Sequence, residues 1–230
     1  MKHSSPVPHE LRFAVLAADA VMFTVFDGRL HVRLIPVHLP PYFSHLAGIP
    51  GGLLAPTETA DQAAVRHATT KGGVLHEHLY LEQLYTFSAI NRDPRNRVVA
   101  VAYLGLVPWE VLTKTAERDT AAATWVRIDK LPKLAYDHRE IIRVGLERLR
   151  SRVTYTTIIK QLMPKEFTLT DLEVMYETVL GQDIDKRNFR KKVLKTGVLQ
   201  VLPRERTGEQ HRPAKLYRFL NRDIEPIAII

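Results

Sequence analysis

Residues 51–74 read GGLLAPTETADQAAVRHATTKGGV, and the reading of this stretch decides how the first half of the chain folds. A Gly-Gly pair opens it and Glu58 follows. Residues 58 to 71 favour a helix: Ala63, Ala64, Arg66 and Ala68 suit one, and Gly72-Gly73 stops it. Past Arg66 the helix carries His67, Thr70 and Lys71, with no carboxylate among them. The stretch therefore poses a choice between a damaged catalytic motif and a pocket kept without its chemistry.

Working outward, the flanks are strand-like. AVMFTVFDGRLHVRLIPV, residues 20–37, is β-rich, with Asp27-Gly28 as the hairpin turn. PPYFSHLAGIPGG, residues 40–52, is a loop punctuated by Pro and Gly. EQLYTFSAI (82–90) and RVVAVAYLGLVP (97–108) read as strands separated by the polar turn NRDPRN (91–96). TWVRIDKLPKLAYD (124–137) is a strand and a Pro-containing loop. DHREIIRVGLERLRSRV (137–153) is an amphipathic helix with Ile141, Ile142, Gly145, Leu146 and Leu149 on one stripe. Strands around a central helix, closed by a second helix, predict a mixed α/β domain over 1–150.

Residues 151–230 have another texture. TTIIKQLMP (156–164) is a short helix ended by Pro164. TLTDLEVMYETVLG (168–181) is a helix with Thr170 and Glu173 as its capping box, Leu169 and Val174 as the staple, and Gly181 as its stop. Its apolar stripe is Leu172, Met175, Tyr176 and Val179. Asp185 caps KRNFRKKVLKT (186–196), and Gly197 ends it. VLQVL (198–202) and AKLYRFL (214–220) are two strands around the basic loop PRERTGEQHRP (203–213). Helix, turn, helix and hairpin is the order of a winged helix-turn-helix.

Charge separates the same two parts. The 230 residues carry a net charge of +8, yet Lys186 to Arg218 alone hold eleven Lys or Arg against two acids, Glu205 and Glu209. That concentration suggests one module facing nucleic acid and a nearly neutral remainder. Phe189 and Val193 turn inward, which leaves Lys186, Arg187, Asn188, Arg190 and Lys191 for a duplex groove. Arg204, Arg206 and Arg212 sit in the hairpin loop, where a wing meets phosphates. With no cysteine, the chain has no disulfide, thiolate zinc site or cysteine nucleophile, and fits a reducing cytoplasm. The N-terminus does not read as a signal peptide, since Arg12 and Asp19 interrupt its apolar run. No window is long and apolar enough for a membrane span. His76 and His78 straddle Glu77 without further ligands at metal-site spacing, so no metal is expected there.

The opening stretch resembles the Nudix box, with Gly52, Glu58, Arg66, Gly73 and Val74 in register. His67, Thr70 and Lys71 stand where the family has the acids that hold divalent cations. Hard cations need several oxygen ligands, so the substitutions argue against hydrolysis while leaving binding open. Arg66, His67 and Lys71 are cationic or ionisable groups suited to attracting a diphosphate without metal. EQLYTFSAINRDPRNRVVAVAYLGLVP, KLAYDHREII and EFTLTDLEVMYETVLGQDIDKRNFRKKVLKTGVL extend the resemblance, over about residues 10 to 220, to NrtR-type regulators of bacteria. That resemblance implies a Nudix-like α/β/α sandwich with a mixed sheet, a C-terminal winged helix, and a homodimer on a palindromic operator. It also implies repression of NAD-metabolism genes and a response to ADP-ribose or a related nucleotide, or, as in some relatives, control of sugar pathways. Arg66, Lys71, Tyr85, Phe87, Arg95 and Arg97 are the expected ligand-binding residues: aromatics to stack a base, cations to meet phosphate. Two other readings compete: a Nudix hydrolase of ADP-ribose or nucleoside diphosphate derivatives with an autoregulatory DNA-binding tail, and an RNA-binding scaffold.

Overall fold

Asp27 and Gly28 both adopt positive φ, 49° and 61°. A tight two-residue hairpin needs that geometry, and it joins β1 (Val15–Phe26) to β2 (Arg29–Leu39) in antiparallel register, with Phe26 opposite Arg29. In this computed structural model, residues 14–115, 123–208 and 211–227 are described; for 113–115, 207–208 and 211–212 the description covers the backbone alone. β3 (Phe43–Gly48) and β4 (Gly51–Leu53) follow, then α1 (Ala60–Thr70), β5 (Tyr80–Phe87), β6 (Val98–Leu106), α2 (Trp109–Thr115), β7 (Thr124–Arg127) and α3 (His138–Tyr155). The sheet runs β3-β2-β1-β6-β5, with β4 added to β1 and β7 to β2. β1 and β6 are parallel, and the other pairs are antiparallel, so the sheet is mixed.

β1 is buried on both faces, and its alternation assigns each face a helix. Ala18, Ala20 and Met22 join the clusters containing Ala63, Ala64 and Ala68 of α1. Val21, Phe23 and Val25 join Ile141, Ile142, Leu149 and Val153 of α3. The expected α/β/α sandwich follows directly. α3 runs unbroken across residue 150.

The rest of the chain is α4 (Leu169–Leu180), α5 (Lys186–Lys195), and the hairpin of β8 (Leu199–Gly208) and β9 (His211–Phe219). The cap of α4 differs from expectation. Thr168 accepts from the Asp171 N–H and Asp171 accepts from the Thr168 N–H, at 3.1 and 2.8 Å. Phe167 and Leu172, both fully buried, occupy the staple positions in place of Leu169 and Val174. Thr170 and Glu173 instead face α5, as described below. Gly181 does end the helix, at φ 72°, and Asp185 caps α5 by accepting from the Asn188 N–H.

The hairpin also departs from expectation. Strand structure takes in most of the segment read as a basic loop, so Arg204 and Arg206 lie on β8. Pro203 lacks an N–H, and the pairing shifts between Val201 and Glu205, so the strand continues through an irregularity rather than ending. The backbone of Arg212 lies in β9, and its side chain is outside the described residues.

One buried cluster joins both parts: Val21, Phe23 and Ile141 belong to it with Phe167, Tyr176, Phe189 and Val193. At the junction the Thr178 hydroxyl donates to the Gly28 carbonyl at 3.4 Å, and Arg150 Nε donates to the Val179 carbonyl at 3.0 Å.

Candidate functional site

A cavity of about 540 Å³ opens where β1, β2, β4, the end of α1 and the start of α3 converge with the segment 92–95. Its polar lining includes Asp19, Lys71, Arg92, Arg95, Tyr136 and His138. The Gly51-Gly52 pair creates this convergence. A Cβ on Gly51 would stand 2.0 Å from Asp19 Oδ1, and one on Gly52 would stand 3.0 Å from Lys71 Nζ. Only bare backbone lets both charges close in.

Asp19 is a carboxylate in the middle of an apolar strand, and its partner is Arg92. The buried guanidinium donates to Asp19 Oδ2 at 3.2 Å and grips Asp137 through Nε and Nη2 at 2.9 and 2.7 Å. Burial still pushes Asp19 up to about 6, against the pull of Arg92. His138 is forced the other way: burial holds it down at about 3. Its Nδ1 accepts the Ile49 N–H at 3.1 Å, so the neutral ring carries its proton on Nε2. Arg95 donates to both oxygens of Asp93, at 3.0 and 2.7 Å, and lies over the Tyr136 ring.

Of the expected ligand-binding residues, Lys71 and Arg95 line the cavity. The other four do not. Arg66 is turned onto Glu58, donating through Nε at 2.9 Å and again through Nη2, and also reaches the Leu53 carbonyl. This bond holds Glu58 down at about 2. Tyr85 and Phe87 lie on β5, at the sheet edge, with β6 between it and β1. A register shift between Gln83 and Tyr85 leaves Tyr85 60% exposed, while Phe87 is buried. Arg97 donates to the carbonyls of Ser88 and Ala89, at 2.8 and 3.1 Å. Sequence reading missed Asp19, Arg92, Tyr136 and His138. For Asp19 the signal was present, a lone charge inside a strand of apolar residues.

The motif positions of α1 can be tested as a metal site. His67 is buried, its Nε2 lies 3.3 Å from the Leu53 carbonyl, and burial lowers its pKa. The Thr70 hydroxyl donates to the Arg66 carbonyl at 2.7 Å. Lys71 Nζ donates to the Gly51 carbonyl at 2.6 Å. Glu58 is held by Arg66, and among the described residues no group of three His, Asp or Glu is placed to hold a metal ion. A divalent cation does not fit this donor set.

On α5, Phe189 and Val193 are buried, and Lys186, Arg187, Asn188, Arg190, Lys191, Lys192 and Lys195 are exposed. Arg190 is not free for a base edge as expected. Its guanidinium grips buried Glu173 of α4 through Nε and Nη2, at 2.5 and 3.0 Å, and reaches Thr170 Oγ1 at 3.2 Å. Arg206 pairs with Asp171 at 2.8 Å and Arg204 with Glu166. Arg187 and Lys191 have no ion-pair partner among the described residues.

A three-layer sandwich joined to a winged helix defines the class: a Nudix domain coupled to a nucleic-acid-binding module. Two family models match, the NUDIX domain over residues 16–144 and the NrtR DNA-binding winged helix domain over 159–219. The chain is 30% identical over 213 residues to the ADPR responsive transcriptional repressor NtrR of Acinetobacter baylyi, covering 92% of this chain and 84% of that protein. The crystal structure of Shewanella oneidensis NrtR complexed with a 27mer DNA is similar at TM-score 0.78 and 31% identity, over 89% of this chain and 93% of that one. The NUDIX domain of the same protein complexed with ADP ribose matches at TM-score 0.51 and 27% identity, over 65% of this chain and 99% of that one. This chain belongs to the NrtR family of Nudix-domain transcriptional regulators. No helix among the described residues is long and apolar enough to cross a membrane.

Proposed function

We propose that this protein is a transcriptional repressor whose Nudix-like domain senses ADP-ribose or a related nucleotide and whose winged helix binds duplex DNA. The observation that carries the reading is the union in one chain of a cavity of about 540 Å³ carrying cations and an exposed basic helix. Residues 1–150 form the sensing part and 151–230 the DNA-binding part, with α3 belonging to both. Lys186, Arg187, Asn188 and Lys191 face the major groove, and Arg204, Arg206 and Arg212 lie on the wing. Two protomers engage the half-sites of a palindromic operator in the cytoplasm. Ligand in the cavity shifts the balance between two dimer arrangements and so weakens DNA binding. The regulated genes serve NAD metabolism; sugar-utilisation genes beside the operator would redirect that assignment. The Acinetobacter baylyi relative that carries a repressor's name, and the absence of acids at 67, 70 and 71, support sensing over cleavage.

Gel shift on operator duplex tests the proposal. Added ADP-ribose should release the DNA, and full retention at millimolar ligand removes ADP-ribose as effector. The ADP-ribose pyrophosphatase of Methanocaldococcus jannaschii, 31% identical over 102 residues, favours a second reading as hydrolase. Magnesium-dependent release of AMP, lost in Glu58→Gln, would establish that activity.

A further inference from the structure

Three cations line the cavity, and two are already committed to carboxylates. Arg92 lies between Asp19 and Asp137, and Arg95 holds Asp93. Lys71 differs. Asp19 acts on it through charge alone, and the one hydrogen-bond partner of its ammonium among the described residues is the neutral carbonyl of Gly51, at 2.6 Å, which leaves two of its three donors. It is the C-terminal cap of α1, where the carbonyl end of the helix favours a cation. Gly52 beneath it has no side chain, and a Cβ there would crowd Nζ at 3.0 Å. The ammonium therefore has a fixed seat, an open approach and unused donors.

We infer that Lys71 performs the charge-offsetting task that a bound divalent cation performs in Nudix hydrolases, so that the cavity takes a diphosphate without any metal. The inference rests on the ADP-ribose reading and deepens it. A metal would meet the Lys71 charge, and the cavity carboxylates Asp19 and Asp93 already accept from arginine. A diphosphate meets the opposite situation: its oxygens take the free ammonium donors, and Arg95 lines the same cavity. Lys71 holds the ligand's charge but cannot activate water as a metal does. Tight binding without cleavage is the outcome a sensor needs.

Calorimetric titration of the full chain with ADP-ribose, in magnesium and in EDTA, tests this. Inorganic pyrophosphate serves as a second titrant, and Lys71→Gln and Lys71→Arg as variants. Wild-type affinity for both ligands should agree within about twofold between the buffers, Lys71→Gln should bind about tenfold or more weakly, and Lys71→Arg should recover much of the loss. Lys71→Met replaces Lys71→Gln if the latter fails to fold. Binding that requires magnesium, or Lys71→Gln binding as tightly as wild type, overturns the inference while leaving ADP-ribose as the effector. Pyrophosphate binding in EDTA that depends on Lys71, with no ADP-ribose binding, sinks the effector reading and keeps the subsite. Binding of neither ligand sinks both.

Discussion

Arg92 of the cavity and Arg204 and Arg206 of the winged helix all pair with acids, but in opposite surroundings. Arg92 is buried between two carboxylates, its side chain 3% exposed. Arg204 and Arg206 hold their acids at the surface, with side chains 64% and 51% exposed. A buried guanidinium cannot exchange partners without being stranded, so Arg92 is fixed architecture that shapes the cavity. Exposed pairs are weak in water, and a phosphate can displace Glu166 or Asp171 at little cost. The same residue type thus builds a rigid pocket at one end and a surface ready to exchange partners at the other.

The sharpest way to break this contrast is Arg92→Ala. Stranding Asp19 and Asp137 should cost about 3–5 kcal/mol in urea unfolding; a loss under about 1 kcal/mol would show that the network is not structural. A smaller effect follows from His138. The folded chain keeps this ring neutral down to about 3, whereas the unfolded chain protonates it below its ordinary 6.5. Its contribution is therefore full above 6.5 and is lost as pH falls from there toward 3. At about 1.4 kcal/mol per unit, wild type should lose about 2 kcal/mol more stability than His138→Gln between pH 7 and pH 5. Asp19 acts in the reverse sense, its raised pKa favouring the folded chain as pH falls from about 6, but it is present in both proteins and drops out of the difference. Equal acid sensitivity in the two would refute buried neutrality. The mildest change is at the other end. Arg187→Ala with Lys191→Ala should leave stability within about 0.5 kcal/mol. The same pair should weaken operator binding about tenfold at moderate salt and flatten the slope of log K against log salt by about 1 per lost phosphate contact. An unchanged slope would mean that α5 does not meet the backbone.

How far the sequence could be read follows the distance over which each feature is decided. Asp27-Gly28 was legible because the turn's dihedral demands are met by those two residues alone. The Asp185 cap and the Gly181 and Gly197 stops were legible for the same reason. In FTLTDLE, two overlapping cap patterns compete, Thr168 with Asp171 and Thr170 with Glu173. Local pattern does not choose between them. Packing does, because Glu173 is needed on the face that holds Arg190. The cavity escaped more thoroughly. Lys71 and Arg95 were found from motif and charge, but Asp19, Arg92, Tyr136 and His138 come from a strand, a loop and the start of a helix, and no spacing links them. The aromatics Tyr85 and Phe87 lie away from the cavity, because alternation along a strand says which residues share a face, not which strand lies at the edge.

α3 begins beside the cavity, with His138 in its wall, and ends with Arg150 bound to the Val179 carbonyl of α4. The β1–β2 hairpin spans the same two places, from Asp19 to the Gly28 carbonyl that receives Thr178. Both elements thus reach from the cavity to α4, which packs on the basic helix α5 through Tyr176 against Phe189. Two independent contacts, one from each element, thus tie the cavity side of the molecule to the helix pair that carries the exposed cations.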